Sequence, residues 1–149
     1  MAEWRNICCA VDFSESSGLA VNEAADLAKR FPAELTVLHV YEAPAAAAAA
    51  LEVPLLEHVQ RAAGEAERKL AECRSAVEQR VGRAVRSAMP QGDAAAEILR
   101  FAREGSVDLL IVGTHGRKGI QHLMLGSVAE RVVREADCPV LVVRGRRTS

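Results

Sequence analysis

A run of seven residues rich in glycine follows the apolar stretch that ends near residue 112, and loops of this composition can bind phosphate. Gly113, Gly116 and Gly119 are each separated by two residues. Because glycine has no β-carbon, the backbone amides of such a loop can approach an anion closely. Gly126-Ser127 then stands at the predicted start of a helix, where unpaired amides and the helix dipole favour phosphate. The loop and the helix start together predict a site that grips a polyphosphate chain from two sides.

These features also have structural explanations that the sequence leaves open. A glycine after a strand can simply make a turn, and Ser127-x-x-Glu130 has the form of a helix capping box. The glycine spacing differs from the dinucleotide-binding G-x-G-x-x-G, and no G-K-[ST] of a P-loop occurs in the chain. From the residues alone, two interpretations of the glycines and Ser127 remain open: they bind phosphate, or they form a turn and a helix cap.

Candidates for catalysis and for metal binding are few. Asp12 follows the first apolar run without an evident partner for acid–base catalysis, and the chain has no nucleophile elbow or catalytic triad. His39 lies within a predicted strand, where we expect a core histidine rather than a ligand. His122 has no Cys, Asp or Glu at metal-binding spacing. We therefore predict no catalytic residue and no metal ion held by protein side chains.

Length, charge and composition exclude several classes of protein. A chain of 149 residues is expected to form a single domain, residues 1–149. A formal net charge of -1 and an aromatic content of 3% disfavour nucleic-acid binding. The longest apolar run, Ala43–Leu51, is far shorter than the roughly 20 residues that a membrane span needs. We expect a cytoplasmic protein with no membrane span and no nucleic-acid partner.

The cysteines have the spacing of neither a disulfide framework nor a zinc site. Cys8 and Cys9 are adjacent in a predicted strand, so their side chains should point to opposite faces of the sheet. We expect every cysteine to be reduced and to behave as a small hydrophobic residue. They are Cys8, Cys9, Cys73 and Cys138.

Apolar or β-rich runs alternate with stretches of helical periodicity. The predicted strands are 7–11, 35–41, 83–89, 108–112 and 139–143, and the mixed pattern of 83–89 is typical of a sheet edge. The predicted helices run from the Ser-rich cluster 14–18 to Pro32, and over 56–81, 93–105 and 127–136. This alternation indicates an α/β fold, a three-layer sandwich whose five-stranded parallel sheet carries helices on both faces. The Ala-rich residues 43–54 are predicted to be a mobile connection.

Over nearly its whole length the chain resembles a universal stress protein of the small, single-domain type. The resemblance rests on Val112-Gly-Thr-His-Gly116, on Gly126-Ser127-Val128-Ala129 and on Cys138-Pro-Val-Leu-Val-Val143. In that family the pattern G-x2-G-x9-G-[ST] marks the members that bind ATP. The pattern is intact here as Gly113, Gly116, Gly126 and Ser127.

The resemblance implies the nucleotide alpha-hydrolase-like fold with strand order 3-2-1-4-5, and it assigns parts of the ligand to residues. Asp12 would meet the base or the ribose, and Val40 would offer backbone contacts to adenine. The glycine loop would line the ribose and phosphates, and the start of the last helix would hold the phosphates. The implied contacts are Ala10, Val11, Asp12, Val40, Val112, Gly113, His115, Gly116, Gly126, Ser127 and Val128.

The resemblance also implies the ligand and the partner. ATP is expected to bind with Mg²⁺ through its phosphates; Ala129 stands where some members carry a hydroxyl, so ADP or AMP should bind nearly as well. The implied function is a nucleotide-responsive stress regulator with little or no hydrolysis; a slow nucleotide hydrolase and a ligand-free interaction scaffold are the alternatives. Strand five would be an edge that pairs in a homodimer, unless the arginines of residues 144–147 protect it by charge alone.

Overall fold

The computed structural model describes residues 3–43, 53–114 and 125–145. The strands are β1 (Asn6–Ala10), β2 (Glu34–Leu38), β3 (Arg86–Ala88), β4 (Leu109–Gly113) and β5 (Val140–Val143). The helices are α1 (Glu15–Arg30), α2 (Val53–Val81), α3 (Ala94–Glu104) and α4 (Ser127–Glu135). Most of the predicted mobile connection, residues 44–52, lies outside the described residues.

All strand pairs in the sheet are parallel, and the order is β3-β2-β1-β4-β5. The predicted fold class and the strand order implied by the resemblance are therefore confirmed. The order changes direction between β1 and β4, and open α/β sheets bind ligands at such a point, beyond the carboxyl ends of the strands. This topology places the ends of β1 and β4 side by side.

Two hydrophobic cores, one on each face of the sheet, hold the helices in place. On one face α1 and α2 pack against alternate strand residues that include Ile7, Cys9 and Ile111. On the other face α3 and α4 pack against the intervening residues, which include Cys8 and Leu110. Because successive side chains of a strand alternate between faces, the adjacent cysteines separate as predicted. Burial raises the pKa of the Cys8 thiol to about 12 and that of Cys9 well above its ordinary value.

Some element boundaries differ from the predicted ones. The second strand ends at Leu38 rather than at residue 41, and beyond it Tyr41 forms an isolated bridge with Gln91. The third strand spans only Arg86–Ala88, and it lies at a sheet edge, as its mixed pattern predicts. The long helix begins at Val53, three residues before its predicted start, so its first residues belonged to the segment expected to be mobile.

Local sequence explains where the helices begin and end. Ser14 caps α1 by accepting a hydrogen bond from the amide of Ser17, and Asp93 caps α3 through the amide of Ala96. Gly82 follows α2 at a φ of +83°, a left-handed conformation that glycine adopts without strain. Among the described residues, no helix combines the length and the apolar character that crossing a membrane requires.

Candidate functional site

The predicted site residues that the structure describes converge at the carboxyl edge of the sheet. Ala10 and Gly113 end β1 and β4, and Val40 follows β2 by two residues. The start of α4 lies at the same edge because its cap residue is bonded to the residue after β4. The residues brought to this edge are Ala10, Val11, Asp12, Val40, Val112, Gly113, Gly126, Ser127 and Val128. His115 and Gly116 lie outside the described residues.

A tight turn after β1 fixes the carboxylate of Asp12. Its Oδ1 atom accepts a hydrogen bond of 3.0 Å from the amide of Ser14, the residue that caps α1. Between them Phe13 adopts a φ of +64°, which is uncommon for a residue with a large side chain. One oxygen of Asp12 is therefore held by the turn, while the other has no hydrogen-bond partner among the described residues.

The ring of His39 packs against this turn. Its Nδ1 atom lies 2.8 Å from the carbonyl oxygen of Val11, so Nδ1 carries the proton and donates it. The imidazole contacts the ring of Phe13 at a centroid distance of 4.5 Å, and the ammonium of Lys69 lies 5.8 Å from the centre of the same ring. His39 is hydrogen-bonded, as predicted, but the prediction of a core histidine within a strand is wrong, because His39 is half-buried and lies one residue beyond the end of β2.

The backbone groups of Val40 lie beyond the last residue pair of β1 and β2. The amides of His39 and Tyr41 donate towards the β3 side, to Ala88 and Pro90, over 3.0 and 2.9 Å. Because backbone groups of an extended chain alternate in direction, the N–H and C=O of Val40 point the other way, towards β1. Neither group has a hydrogen-bond partner among the described residues.

Thr114 joins the end of β4 to the start of α4. Its amide donates to the carbonyl of Val143 over 3.2 Å, and its carbonyl accepts a 2.7 Å hydrogen bond from the amide of Gly126. Thr114 is a buried residue, and its hydroxyl lies 3.4 Å from that of Ser16 on α1. Sequence reasoning missed this residue, although a threonine between two glycines of the motif, directly after a buried strand, was an available signal.

The start of α4 differs from the predicted capping box. Gly126 occupies the cap position, so Ser127 is the first residue inside the helix and does not cap it. The capping-box interpretation of Ser127 and Glu130 is wrong because the helix begins one residue earlier than that motif requires. A cap without a side chain leaves the first-turn amides to other partners, such as an anion. Ser127 and Val128 are exposed, whereas Ala129 is buried in the core beneath α4.

The composition of the loop suggested that Gly113 is glycine so that an anion can approach its backbone. The structure shows another reason, which is close packing against α1. A β-carbon at this position would lie 2.8 Å from both the carbonyl carbon and the carbonyl oxygen of Ser16. Its φ is not in the left-handed region, so the conformation itself does not demand glycine. Gly113 therefore allows the end of β4 to pack directly against the first turn of α1.

The sequence comparisons agree on one family. The model of the Universal stress protein family matches residues 3–144. The chain is 34% identical over 147 residues to Universal stress protein MJ0531 of Methanocaldococcus jannaschii, covering 95% of this chain and 82% of that one. It is 33% identical over 141 residues to Universal stress protein YxiE of Bacillus subtilis, covering 91% and 95%.

Solved structures share the architecture. Universal stress protein UspA from Lactobacillus plantarum superposes with a TM-score of 0.81 at 26% identity, covering 97% of this chain and all of that one. A universal stress protein solved in complex with cAMP has a TM-score of 0.69 at 23% identity, covering 96% and 98%. One from Archaeoglobus fulgidus, in complex with dAMP, has a TM-score of 0.67 at 20% identity, covering 95% and 99%. At these last two identities the likeness is one of fold.

Proposed function

The chain belongs to the universal stress protein family, and on that premise we propose that it binds an adenine nucleotide, foremost ATP, at the carboxyl edge of the sheet. The observation that carries the proposal is the backbone N–H and C=O of Val40, which point towards the β1 side and have no hydrogen-bond partner among the described residues. Two structures of the same fold hold cAMP and dAMP. This architecture therefore accommodates an adenine nucleotide.

The polarity of Val40 suits adenine better than guanine. Its N–H offers a donor and its C=O an acceptor on the same side of the chain. Adenine presents a ring-nitrogen acceptor next to its exocyclic amino donor, whereas guanine carries an acceptor oxygen in place of that amino group. Guanine would set its oxygen against the Val40 carbonyl. We expect the affinity for ATP to exceed that for GTP.

The phosphates would lie at the start of α4. Gly126 provides a cap without a side chain, and its bond to Thr114 fixes the helix end next to the end of β4. The amides of the first turn and the hydroxyl of Ser127 can then donate to phosphate oxygens. Gly113 and Val112, together with His115 and Gly116 of the glycine loop, complete the proposed contacts.

The proposed activity is nucleotide-responsive regulation with little or no hydrolysis. The second carboxylate oxygen of Asp12, which has no partner among the described residues, would meet the base and the ribose together with Ala10 and Val11, rather than activate water. Mg²⁺ would reach the site with the phosphates, and ADP or AMP would be alternative ligands. Within the part of the chain that the structure describes, no three His, Cys, Asp or Glu side chains gather as metal ligands.

We also propose a homodimer that pairs β5 of two copies. β5 is an edge strand, and each of its residues is half-buried although the strand is entirely apolar, Val140–Val143. An apolar edge with unpaired backbone groups favours pairing with a second strand. A two-fold contact through the same strand of each copy would cover both edges at once.

Calorimetry of the purified protein with Mg-ATP tests the proposed ligand. We expect saturable heat with ATP, similar affinity for ADP, and weaker binding of GTP. Absence of heat with any adenine nucleotide, in a sample first stripped of bound nucleotide, would leave the ligand-free scaffold. Hydrolysis in the range of ordinary enzymes, about 1 to 10³ per second, would instead identify a nucleotide hydrolase.

A further inference from the structure

We infer that His39 is a positioning residue that keeps the Val40 amide available for the adenine base. The part of this inference that concerns adenine rests on the proposed function. The other part, that His39 replaces the Val40 amide as the donor to Val11, does not. The argument concerns the last rung of the ladder between β1 and β2, where the carbonyl of Val11 accepts from a side chain instead of a backbone amide.

The register of the two strands identifies the partner that Val11 would otherwise have. Ala10 pairs with Leu38, and the amide of Val11 donates to the Leu38 carbonyl over 2.8 Å. In a regular parallel ladder, the carbonyl of Val11 would accept next from the amide of Val40. Instead, Nδ1 of His39 donates to that carbonyl over 2.8 Å, so the hydrogen bonds between the two strands end one bond early.

The surroundings of His39 hold its ring in this position. The ring packs on Phe13, whose left-handed backbone conformation belongs to the Asp12 turn. The Nδ1–H donor is therefore aimed at Val11 by the same turn that presents the Asp12 carboxylate. The two proposed contacts of the base and ribose, Asp12 and Val40, are coupled through one imidazole.

The consequence is an amide without a protein partner, among the described residues, in a mostly buried residue. Val40 is 9% exposed, and buried backbone donors are nearly always paired. A ring nitrogen of adenine would supply the missing acceptor, so binding would satisfy a donor that folding leaves unpaired. A ligand with no acceptor at this position would not gain that hydrogen bond.

Two variants separate the donor of His39 from its ring. His39→Phe keeps an aromatic ring against Phe13 but cannot donate to Val11. His39→Asn lacks the ring but has a donor nitrogen at the same bond distance from the backbone as Nδ1. Hydrogen exchange of the Val40 amide, measured by NMR without nucleotide, reports directly on its pairing. Calorimetry with ATP and with inorganic triphosphate reports on the base and phosphate contacts separately.

In His39→Phe we expect the Val40 amide to pair with Val11, so that its exchange slows at least tenfold. ATP should then bind about tenfold more weakly, the factor for one hydrogen bond, while triphosphate affinity stays unchanged. His39→Asn should resemble the wild type in both measurements. A role confined to packing would not alter the ratio of the two affinities.

Equal Val40 exchange in the wild type and His39→Phe would overturn the inference. Slower exchange with unchanged ATP affinity would overturn its ligand part. If the wild-type protein binds no ATP, the proposed function itself is refuted. Calorimetry of the wild type alone shows this result, without any variant. In that case the hydrogen-exchange measurement still decides whether His39 replaces the Val40 amide as the donor to Val11.

Discussion

Gly113 and Ser16 are in such close contact that no side chain fits between the end of β4 and the first turn of α1. A β-carbon on Gly113 would come within 2.8 Å of the backbone carbonyl of Ser16. Backbone atoms cannot move aside as a flexible side chain can. The contact that brings α1 onto the sheet therefore depends on a residue that the sequence pattern assigns to phosphate binding.

We expect Gly113→Ala to lower the free energy of unfolding by about 1–3 kcal/mol, the usual effect of overpacking. Urea denaturation measures the loss. Gly64→Ala is the matched control, because Gly64 lies in α2 and an added methyl group there would meet open space. That variant should gain about 0.5–1 kcal/mol from helix propensity. If Gly113→Ala is as stable as the wild type, Gly113 is not required for packing.

A β-carbon on Gly113 would also meet the hydroxyl oxygen of Ser16, so a second variant tests which atoms of Ser16 cause the effect. Ser16→Ala removes the hydroxyl but leaves the carbonyl carbon and oxygen that the added methyl group would strike. The double variant, Ser16→Ala with Gly113→Ala, should therefore remain destabilised. Full recovery of stability in the double variant would assign the conflict to the hydroxyl alone.

The sequence predicts most of the fold because the signals are local. Each apolar strand and each apolar helix face is recognised from a short segment of the sequence. The alternation of strands and helices then allows only a few topologies, all with a parallel sheet. The role of Gly113 could not be predicted in this way, since its partner Ser16 is 97 residues away along the chain. The glycine was identified correctly as special, but its reason depends on packing between elements.

The same distinction applies to the candidate site. The resemblance supplied Val40 as a backbone contact. Its amide has no partner among the described residues because the imidazole of His39, which the sequence indicated as a core residue, takes the Val11 carbonyl. The backbone hydrogen bond between Thr114 and Gly126 joins the two ends of the glycine loop, and no periodic pattern in the sequence relates these residues. Hydrogen-bond partners of this kind become visible only when the strand ends are positioned in space.

Ser127→Ala distinguishes a ligand-binding hydroxyl from a helix cap. Gly126 holds the cap position, so we expect the free energy of unfolding to change by less than about 0.5 kcal/mol. ATP affinity should fall roughly fivefold to tenfold through loss of one hydrogen bond to phosphate. Denaturation and calorimetry on the same sample measure both quantities.

Ser14→Ala provides the positive control for capping. The Ser14 hydroxyl accepts from the Ser17 amide over 3.2 Å, and its removal should cost about 1 kcal/mol. A loss of that size in Ser127→Ala, with unchanged ATP affinity, would restore the capping interpretation and remove Ser127 from the binding site.

The buried thiols predict a loss of stability at alkaline pH. Burial raises the pKa of Cys8 from 9.0 to about 12, so above pH 9 the unfolded chain releases a proton that the folded chain keeps. The stabilisation is complete below pH 9 and is lost as the pH rises towards 12, by about 1.4 kcal/mol per unit for one thiol. Cys8→Ala should lack this contribution. Denaturation of both proteins between pH 8 and 11 measures it, and parallel pH curves would contradict it.

The open edge of β5 gives the sharpest test of the dimer. The amides of Leu110 and Thr114 donate to the carbonyls of Pro139 and Val143, so the backbone groups of Val142, one residue out of phase, face the open edge. Val142→Pro removes an outward amide while sparing the bonds to β4, because proline is tolerated at an edge strand. We expect sedimentation to show a monomer for Val142→Pro and a dimer for Val142→Ala, which shortens the side chain but keeps the amide. A monomeric wild type at micromolar concentration would refute the dimer, and a dimeric Val142→Pro would move its interface away from this edge.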